Sequence, residues 1–144
     1  MFDEILRGLL HSSVTVVIHG LATMLITSRA REGRLLHGDA RLWMDFVRVV
    51  FVVAIVFIAT LLESAWWALN YVYLGAIEGF EEAMYFSTVT YTTLGYGDIT
   101  LDPQWRVLSA FQAANGVIIA GWSTALVIAV VQQIYNARHS ARLD

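Results

Sequence analysis

The chain has 144 residues, of which 58% are hydrophobic, and its mean hydropathy is +0.61. Soluble domains are about 45–50% apolar, so this excess predicts an all-α membrane protein. The lack of cysteine excludes disulfides and thiol-based metal chemistry, and a net charge of −3 gives no basic surface for nucleic acid.

The first predicted element is an N-terminal transmembrane helix within residues 1–28, built on the apolar segment from Leu9 to Thr27. This segment barely reaches the roughly 20 residues that a spanning helix needs. A helix lying in the membrane interface is the alternative, but the basic residues follow the apolar run instead of lining one face. The start of the chain is acidic on balance, unlike a signal peptide, so we expect it to be retained. The segment is interrupted by polar residues: His11, Ser12, Ser13, Thr15, His19 and Thr23.

Residues 29–45 are polar and rich in arginine, which predicts a cytoplasmic linker with a turn at Gly38-Asp39 before the next helix. The second apolar run extends from Phe46 to about Leu69 and is the strongest candidate for a spanning helix. Aromatic residues at both of its ends are typical of the belts that lie at lipid headgroups. These aromatic residues are Trp43 at the start and Trp66, Trp67, Tyr71 and Tyr73 at the end.

The third apolar run, from about Arg106 to Tyr135, must tilt or project into the cytoplasm, because about thirty residues at 1.5 Å each exceed one bilayer core. Three crossings place seven of the nine arginines on one side of the membrane. The positive-inside rule makes that side cytoplasmic. We therefore expect the N-terminus outside, the C-terminus inside with a short tail over residues 139–144, and location in the cell membrane.

Between the second and third spans, Glu81 to Tyr91 form a short helix with two carboxylates in its first turn, where the helix dipole favours them. About three turns cannot cross a bilayer, so this pore helix should re-enter and end near the middle of the membrane. The chain must then return in an extended form to Asp98. Irregular backbone at that depth is tolerated only where it is buried in protein or lines a water-filled path.

The stretch that follows the pore helix is Thr92-Thr93-Leu94-Gly95-Tyr96-Gly97-Asp98. A phosphate-binding loop would carry a basic residue, and none is present. Gly95 and Gly97 can adopt left-handed backbone geometry without a steric penalty, which lets successive carbonyl groups point the same way. The carbonyl oxygens of this stretch, together with the hydroxyl oxygen of Thr93, are suitable ligands for a hard cation. Asp98 would lie at the outer mouth, so the stretch is interpreted as an ion-conducting pore loop.

Thr93-Leu94-Gly95-Tyr96-Gly97-Asp98 resembles the potassium-channel filter signature Thr-Val-Gly-Tyr-Gly-Asp, with leucine in place of valine. The resemblance covers about residues 40 to 138, with outer helix, pore helix, filter and inner helix in order. It implies a pore domain over residues 46–138 and a homotetramer whose carbonyl rings replace the water of K⁺. The carbonyls that would bind permeant K⁺ belong to Thr93, Leu94, Gly95 and Tyr96. Gly116 and Gly121 are candidates for a hinge in the inner helix, with close helix packing as the alternative.

Two departures from the family matter. Some bacterial relatives have a filter-bracing carboxylate where this chain has Val89, so Asp98 needs another partner, for which Tyr85 and Tyr91 are candidates. No helix carries an arginine at every third position, so a voltage sensor is not expected.

Three further side chains are candidates for filter support or a pH response. Glu63 is an intramembrane carboxylate, which is a functional candidate by default. Its alternative role is pairing with Arg106 or with hydroxyl groups behind the filter. His11 and His19 could sense pH, although a lone histidine on a helix is more often a packing residue.

The sequence therefore predicts a potassium-selective channel that conducts K⁺ passively through its filter. A less selective monovalent cation channel is the first alternative, since Leu94 alters the packing behind one carbonyl layer. A potassium transporter subunit is disfavoured, because such transporters carry four related pore segments in one chain. No nucleophile–base pair or metal-ligand cluster indicates an enzyme, and no cofactor or small-molecule substrate is expected.

Overall fold

The structure is a computed structural model that describes residues 2–31 and 42–140. All regular structure in these ranges is helical, which confirms the all-α prediction. The α-helices are α1 (Phe2–Arg31), α2 (Leu42–Tyr73), α3 (Phe80–Tyr91) and α4 (Arg106–Ser140), and a 3₁₀ turn at Pro103–Trp105 leads into α4.

Three of the helices, α1, α2 and α4, are long and apolar enough to cross a membrane. Helix α1 begins at Phe2, earlier than the apolar segment itself, with Asp3 and Glu4 in its first turn. Carboxylates there are favoured by the helix dipole. Helices α2 and α4 also extend past the predicted apolar runs, to Tyr73 and Ser140.

Residues 29–31 and 42–45 of the predicted linker are helical, as the ends of α1 and α2. The rest of the linker, including the predicted turn at Gly38-Asp39, lies outside the described residues. The same holds for residues 141–144 of the predicted tail.

The three long helices form a bundle in which α1 packs against both α2 and α4. Thr15 contacts Asn115, and four residues later His19 contacts Ser123, so α1 and α4 run in the same direction. Helix α2 runs the opposite way, as a chain that crosses three times requires. Near the C-terminal end of α4 the bundle is closed by an aliphatic cluster of Ile26, Val52, Leu126 and Val130.

The larger core lies at the opposite end, where α2, α3 and α4 meet. Trp67 and Tyr71 are 0% exposed and belong to this core, so their assignment to a lipid-facing aromatic belt was wrong. The reason is that α3 packs against the face of α2 that carries them. Trp43 and Tyr73 are 69% and 87% exposed, as residues of such belts would be.

Helix α3 is re-entrant by its dimensions. Its 12 residues span about 18 Å, against about 30 Å for a hydrocarbon core. The backbone of Tyr91, its last residue, lies against Gly116, which is about 15 Å along α4 from Arg106 at 1.5 Å per residue. The chain therefore reverses direction about 15 Å in from the Arg106 end of α4, less than a third of the way along the 35 residues of that helix.

A buried hydrogen-bond chain fixes α3 between α2 and α4. The Ser87 hydroxyl donates to the carbonyl of Ser64 at 2.6 Å, and the amide of Gln112 donates to the Ser87 hydroxyl at 2.6 Å. Tyr71 donates to the Gln112 side-chain oxygen at 2.8 Å. Because all four residues are buried, these bonds satisfy polar groups that would otherwise be costly in an apolar interior.

Candidate functional site: the pore loop

The loop after α3 is tied to that helix through its first N–H groups. The backbone N–H groups of residues 92–95 donate to carbonyls of the last turn of α3 at 3.0–3.3 Å. The accepting carbonyls belong to Thr88, Val89 and Thr90. The start of the loop is therefore positioned by the end of α3, and any shift of that end moves the loop.

Alternate residues of the loop have positive φ. The values are 62° for Thr93, 53° for Gly95 and 78° for Gly97. The two glycines adopt this geometry freely, as the sequence analysis expected. Thr93 is different, because a β-branched residue at positive φ is a genuine outlier that costs of order 1–3 kcal/mol. Strain of this kind persists only where surrounding structure holds it, and it clusters at functional sites.

The carbonyl groups of the loop are left without hydrogen-bond partners. Within the described residues, no hydrogen bond is accepted by a carbonyl of Thr93 to Gly97. Residues 92–98 are all exposed in the single chain, and the side chains of Leu94 and Tyr96 are 56% and 67% exposed. An exposed row of free carbonyl oxygens is able to replace the hydration shell of a cation.

Asp98 ends this row and is held by two hydrogen bonds. The Tyr85 hydroxyl donates to its Oδ2 at 2.7 Å, and the backbone N–H of Ile99 donates to its Oδ1 at 3.1 Å. The hydrogen bond from Tyr85 is the main cause that lowers the pKa of Asp98 below its ordinary value. Of the two candidate partners, Tyr85 therefore contacts Asp98, and its bond favours the carboxylate form.

Tyr91 instead contacts Glu63, deep in the bundle. Its hydroxyl donates to Glu63 Oε2 at 3.0 Å, and Glu63 Oε1 lies 3.1 Å from His19 Nδ1. Pairing of Glu63 with Arg106 is wrong, because Arg106 is exposed and its Nε donates to the carbonyl of Leu101 at 3.4 Å. Of the two alternatives considered for Glu63, hydroxyl pairing is the one present.

The two histidines of α1 have different surroundings. His19 is fully buried and bridges Glu63 and the Ser123 hydroxyl, which lies 3.3 Å from its Nε2. His11 packs edge-on against the rings of Trp66 and Trp67, with centroids 5.8 Å and 5.6 Å away. His11 is therefore a packing residue, whereas His19 takes part in a polar contact between helices.

The two glycines of α4 also differ. A Cβ atom on Gly116 would lie 1.9 Å from the carbonyl oxygen of Tyr91, whereas a Cβ on Gly121 would meet nothing within 4 Å. Close packing thus accounts for Gly116. Helix α4 is continuous through both positions, and Gly121 stays a prediction for a hinge.

The polar contacts between helices were not predicted from the sequence, above all that of Thr15 with Asn115 at 2.7 Å. One signal was present in α1: His11, Thr15, His19 and Thr23 recur at every fourth residue, which places them on one helix face. Three of the four are buried against the bundle, and Thr23 is half-buried. The polar side chains that interrupt the apolar segment of α1 therefore form the face with which α1 contacts the other helices.

Residues 40–133 match the sequence model of a family described as ion channel. The matched region contains all of α2, α3 and the pore loop and most of α4, and it begins after α1. No curated protein and no solved structure matches the chain significantly. The match covers well over half of the chain and points to a channel, not an enzyme. The chain therefore belongs to this ion channel family and is an integral membrane protein, with three helices among its described residues that are able to span the bilayer.

Proposed function

We propose that the protein is a potassium-selective channel, in which carbonyl oxygens of Thr93, Leu94, Gly95 and Tyr96 coordinate K⁺. The observation that carries the proposal is the alternation of positive φ at residues 93, 95 and 97. It occurs in a loop whose carbonyls have no other partner among the described residues. Carbonyl rings of this kind are the basis of potassium selectivity, so K⁺ itself is the permeant ligand and no cofactor is required.

The proposed channel is a homotetramer. One chain supplies one strand of carbonyls, whereas a potassium filter is a ring of four such loops. In the single chain residues 92–98 are exposed, although they follow a helix that ends about 15 Å in from the Arg106 end of α4. Because irregular backbone at that depth must be buried in protein or line water, further copies of the chain would cover Leu94 and Tyr96 and leave the carbonyls facing a central path.

The proposed orientation has the N-terminus and the pore mouth outside and the C-terminus in the cytoplasm. Asp45, near the start of α2, accepts hydrogen bonds from both Arg48 and Arg138, which joins that end of α2 to the end of α4. Arginines near these two ends therefore lie on the same side of the bundle. The positive-inside rule makes this side cytoplasmic, in the cell membrane.

Planar-bilayer recording of the purified full-length protein, with K⁺ on one side and Na⁺ on the other, tests the proposal. We expect unitary currents whose bi-ionic reversal potential lies far from zero, in the direction that a much higher permeability to K⁺ than to Na⁺ requires. A K⁺/Na⁺ permeability ratio near one would refute potassium selectivity and indicate a less selective cation channel. Leu94 is the residue that motivates this alternative, because it alters the packing behind one carbonyl layer. Saturable flux without unitary currents would indicate a transporter.

The variant Gly95→Ala tests the filter assignment in the same recordings. A Cβ at this position has open space around it in the single chain, so the strain comes from φ of 53° alone. Left-handed geometry costs an L-residue roughly 1–2 kcal/mol, and we expect loss of K⁺ conduction or selectivity. Gly79→Ala is the matched control, because Gly79 has φ −107° and equally open surroundings. Normal K⁺ currents from Gly95→Ala would refute the assignment of residues 93–97.

A further inference from the structure

Four helices contribute to one buried polar contact behind the pore loop. His19 of α1, Glu63 of α2, Tyr91 of α3 and Ser123 of α4 are joined by distances of 3.0–3.3 Å. The side chains of His19 and Glu63 are both 0% exposed. This contact, called the His19–Glu63 brace below, lies at the level where α3 ends.

The two central side chains depend on each other. An ionised carboxylate without a partner is strongly disfavoured in a buried site, and removing one member of a buried pair is far more disruptive than replacing both. One oxygen of Glu63, Oε1, lies 3.1 Å from Nδ1 of His19. The second oxygen of Glu63 is then available for the hydroxyl of Tyr91.

Tyr91 connects this pair to the filter. It is the last residue of α3, its hydroxyl is bonded to Glu63, and its carbonyl lies against Gly116. The N–H groups of residues 92–95 are bonded to the turn that Tyr91 ends. A displacement of Tyr91 would therefore move the first residues of the pore loop.

We propose that His19 and Glu63 are positioning residues that hold the end of α3 and so keep the filter conducting, which couples α1 to the opening of the pore. This proposal rests on the proposed function, because it assigns a support to the same filter. It gives α1, which lies outside the region matched by the channel family, a direct part in conduction. It also supplies a buried carboxylate behind the filter, whereas this chain has Val89 at the position where some bacterial relatives have the filter-bracing carboxylate.

Other contacts keep α1 docked when the brace is altered. Thr15 donates to the side-chain oxygen of Asn115 at 2.7 Å. Gly8 packs so closely on α4 that a Cβ atom would lie 2.6 Å from the ring of Phe111. Substitutions at His19 or Glu63 should therefore change the end of α3 without releasing the whole helix.

The test is a double-mutant cycle in full-length protein: His19→Gln, Glu63→Gln and the double variant, each recorded in planar bilayers. His11→Gln is the matched control, since it makes the same substitution on the same buried face of α1 but has no link to Glu63. Open probability, mean open time and reversal potential are measured together. Elution volume and melting temperature of the detergent-solubilised protein report assembly.

Polar contacts between membrane helices change an equilibrium by roughly threefold on average and at most about twentyfold. We expect each single variant to lower open probability by roughly threefold to twentyfold through shorter openings, with an unchanged reversal potential. The double variant should be no worse than the worse single one, and His11→Gln should stay within about twofold of wild type.

Equal effects of His19→Gln and His11→Gln would overturn the proposal, as would independent effects that multiply in the double variant. If Glu63→Gln fails to assemble, Tyr91→Phe decides, because it removes only the hydroxyl that contacts Glu63; wild-type open times in that variant would also overturn it. Failure of the proposed function is separate, since it would appear as a wild-type reversal potential without preference for K⁺.

Discussion

Gly116 is the point where the structure predicts the sharpest effect of a single methyl group. Its Cβ, once added, would lie 1.9 Å from the carbonyl oxygen of Tyr91, 2.9 Å from the carbonyl carbon and 3.2 Å from the Cα. All three atoms belong to the backbone, so no side-chain rotation relieves the contact. A close C···O contact is about 3.3–3.6 Å, and α3 and α4 would have to separate by roughly 1.5 Å.

The expected loss of stability in Gly116→Ala follows from a comparison of that variant with Gly121→Ala. Overpacking typically costs 1–3 kcal/mol, occasionally more, whereas alanine in a helix interior is favoured over glycine by about 1 kcal/mol. Both variants gain the helix-propensity contribution, and it cancels when they are compared. Because Gly121 has nothing within 4 Å of an added Cβ in the single chain, Gly116→Ala should be less stable than Gly121→Ala by about 1–3 kcal/mol per chain.

Melting of the detergent-solubilised protein, followed by tryptophan fluorescence, measures this difference. A change of 1 kcal/mol shifts the melting temperature by roughly 4 °C for a chain of this size, so a difference of about 4–12 °C is expected. Coincident melting curves for the two variants would refute the packing role of Gly116. If Gly121 is a hinge, Gly121→Ala should change open probability while the protein stays at least as stable as wild type.

Two further predictions concern hydrogen bonds of α3. Tyr85→Phe removes the hydrogen bond that lowers the pKa of Asp98, so the pKa of Asp98 should be higher in the variant. Asp98 then loses its negative charge at a higher external pH as the pH falls, and K⁺ current should decline at a higher external pH than in wild type. Superimposable pH profiles would contradict this prediction. Gln112→Leu leaves the buried Tyr71 hydroxyl without its acceptor and removes the bond that the Ser87 hydroxyl accepts, while that hydroxyl still donates to Ser64. The variant should therefore lose about 1–3 kcal/mol of stability, measured as a lower melting temperature, and an unchanged melting curve would exclude this role of Gln112.

The features predicted from sequence are those encoded by neighbouring residues. Two carboxylates, three helical turns and a glycine-rich stretch predicted a pore helix over Glu81–Tyr91, and α3 occupies Phe80–Tyr91. Left-handed geometry was expected at Gly95 and Gly97 because glycine carries no Cβ, and both have positive φ. The positive φ of Thr93 had no such signal, since threonine disfavours it.

Partners across the bundle were much less predictable. Nothing near Glu63 in the sequence indicates that its carboxylate lies 3.1 Å from His19, 44 residues away, instead of near Arg106. That pairing depends on the rotation and register of α1 against α2, which tertiary packing determines. The same applies to Gly116 and Gly121, which are equivalent as sequence but differ in what faces them.

The polar face of α1 is best explained by what the helix packs against. In a bilayer the hydrophobic effect gives little drive for one helix to associate with another, and interhelical hydrogen bonds and small residues contribute instead. Helix α1 uses both, with Thr15 and His19 bonded across the bundle and Gly8 in close contact with Phe111. Seven of its eight exposed residues from Leu9 to Leu25 are apolar, Ser13 being the exception, which suits contact with lipid. A helix patterned in this way is built to dock on the back of the pore, and the same two features that dock it also place His19 beside the carboxylate that holds Tyr91.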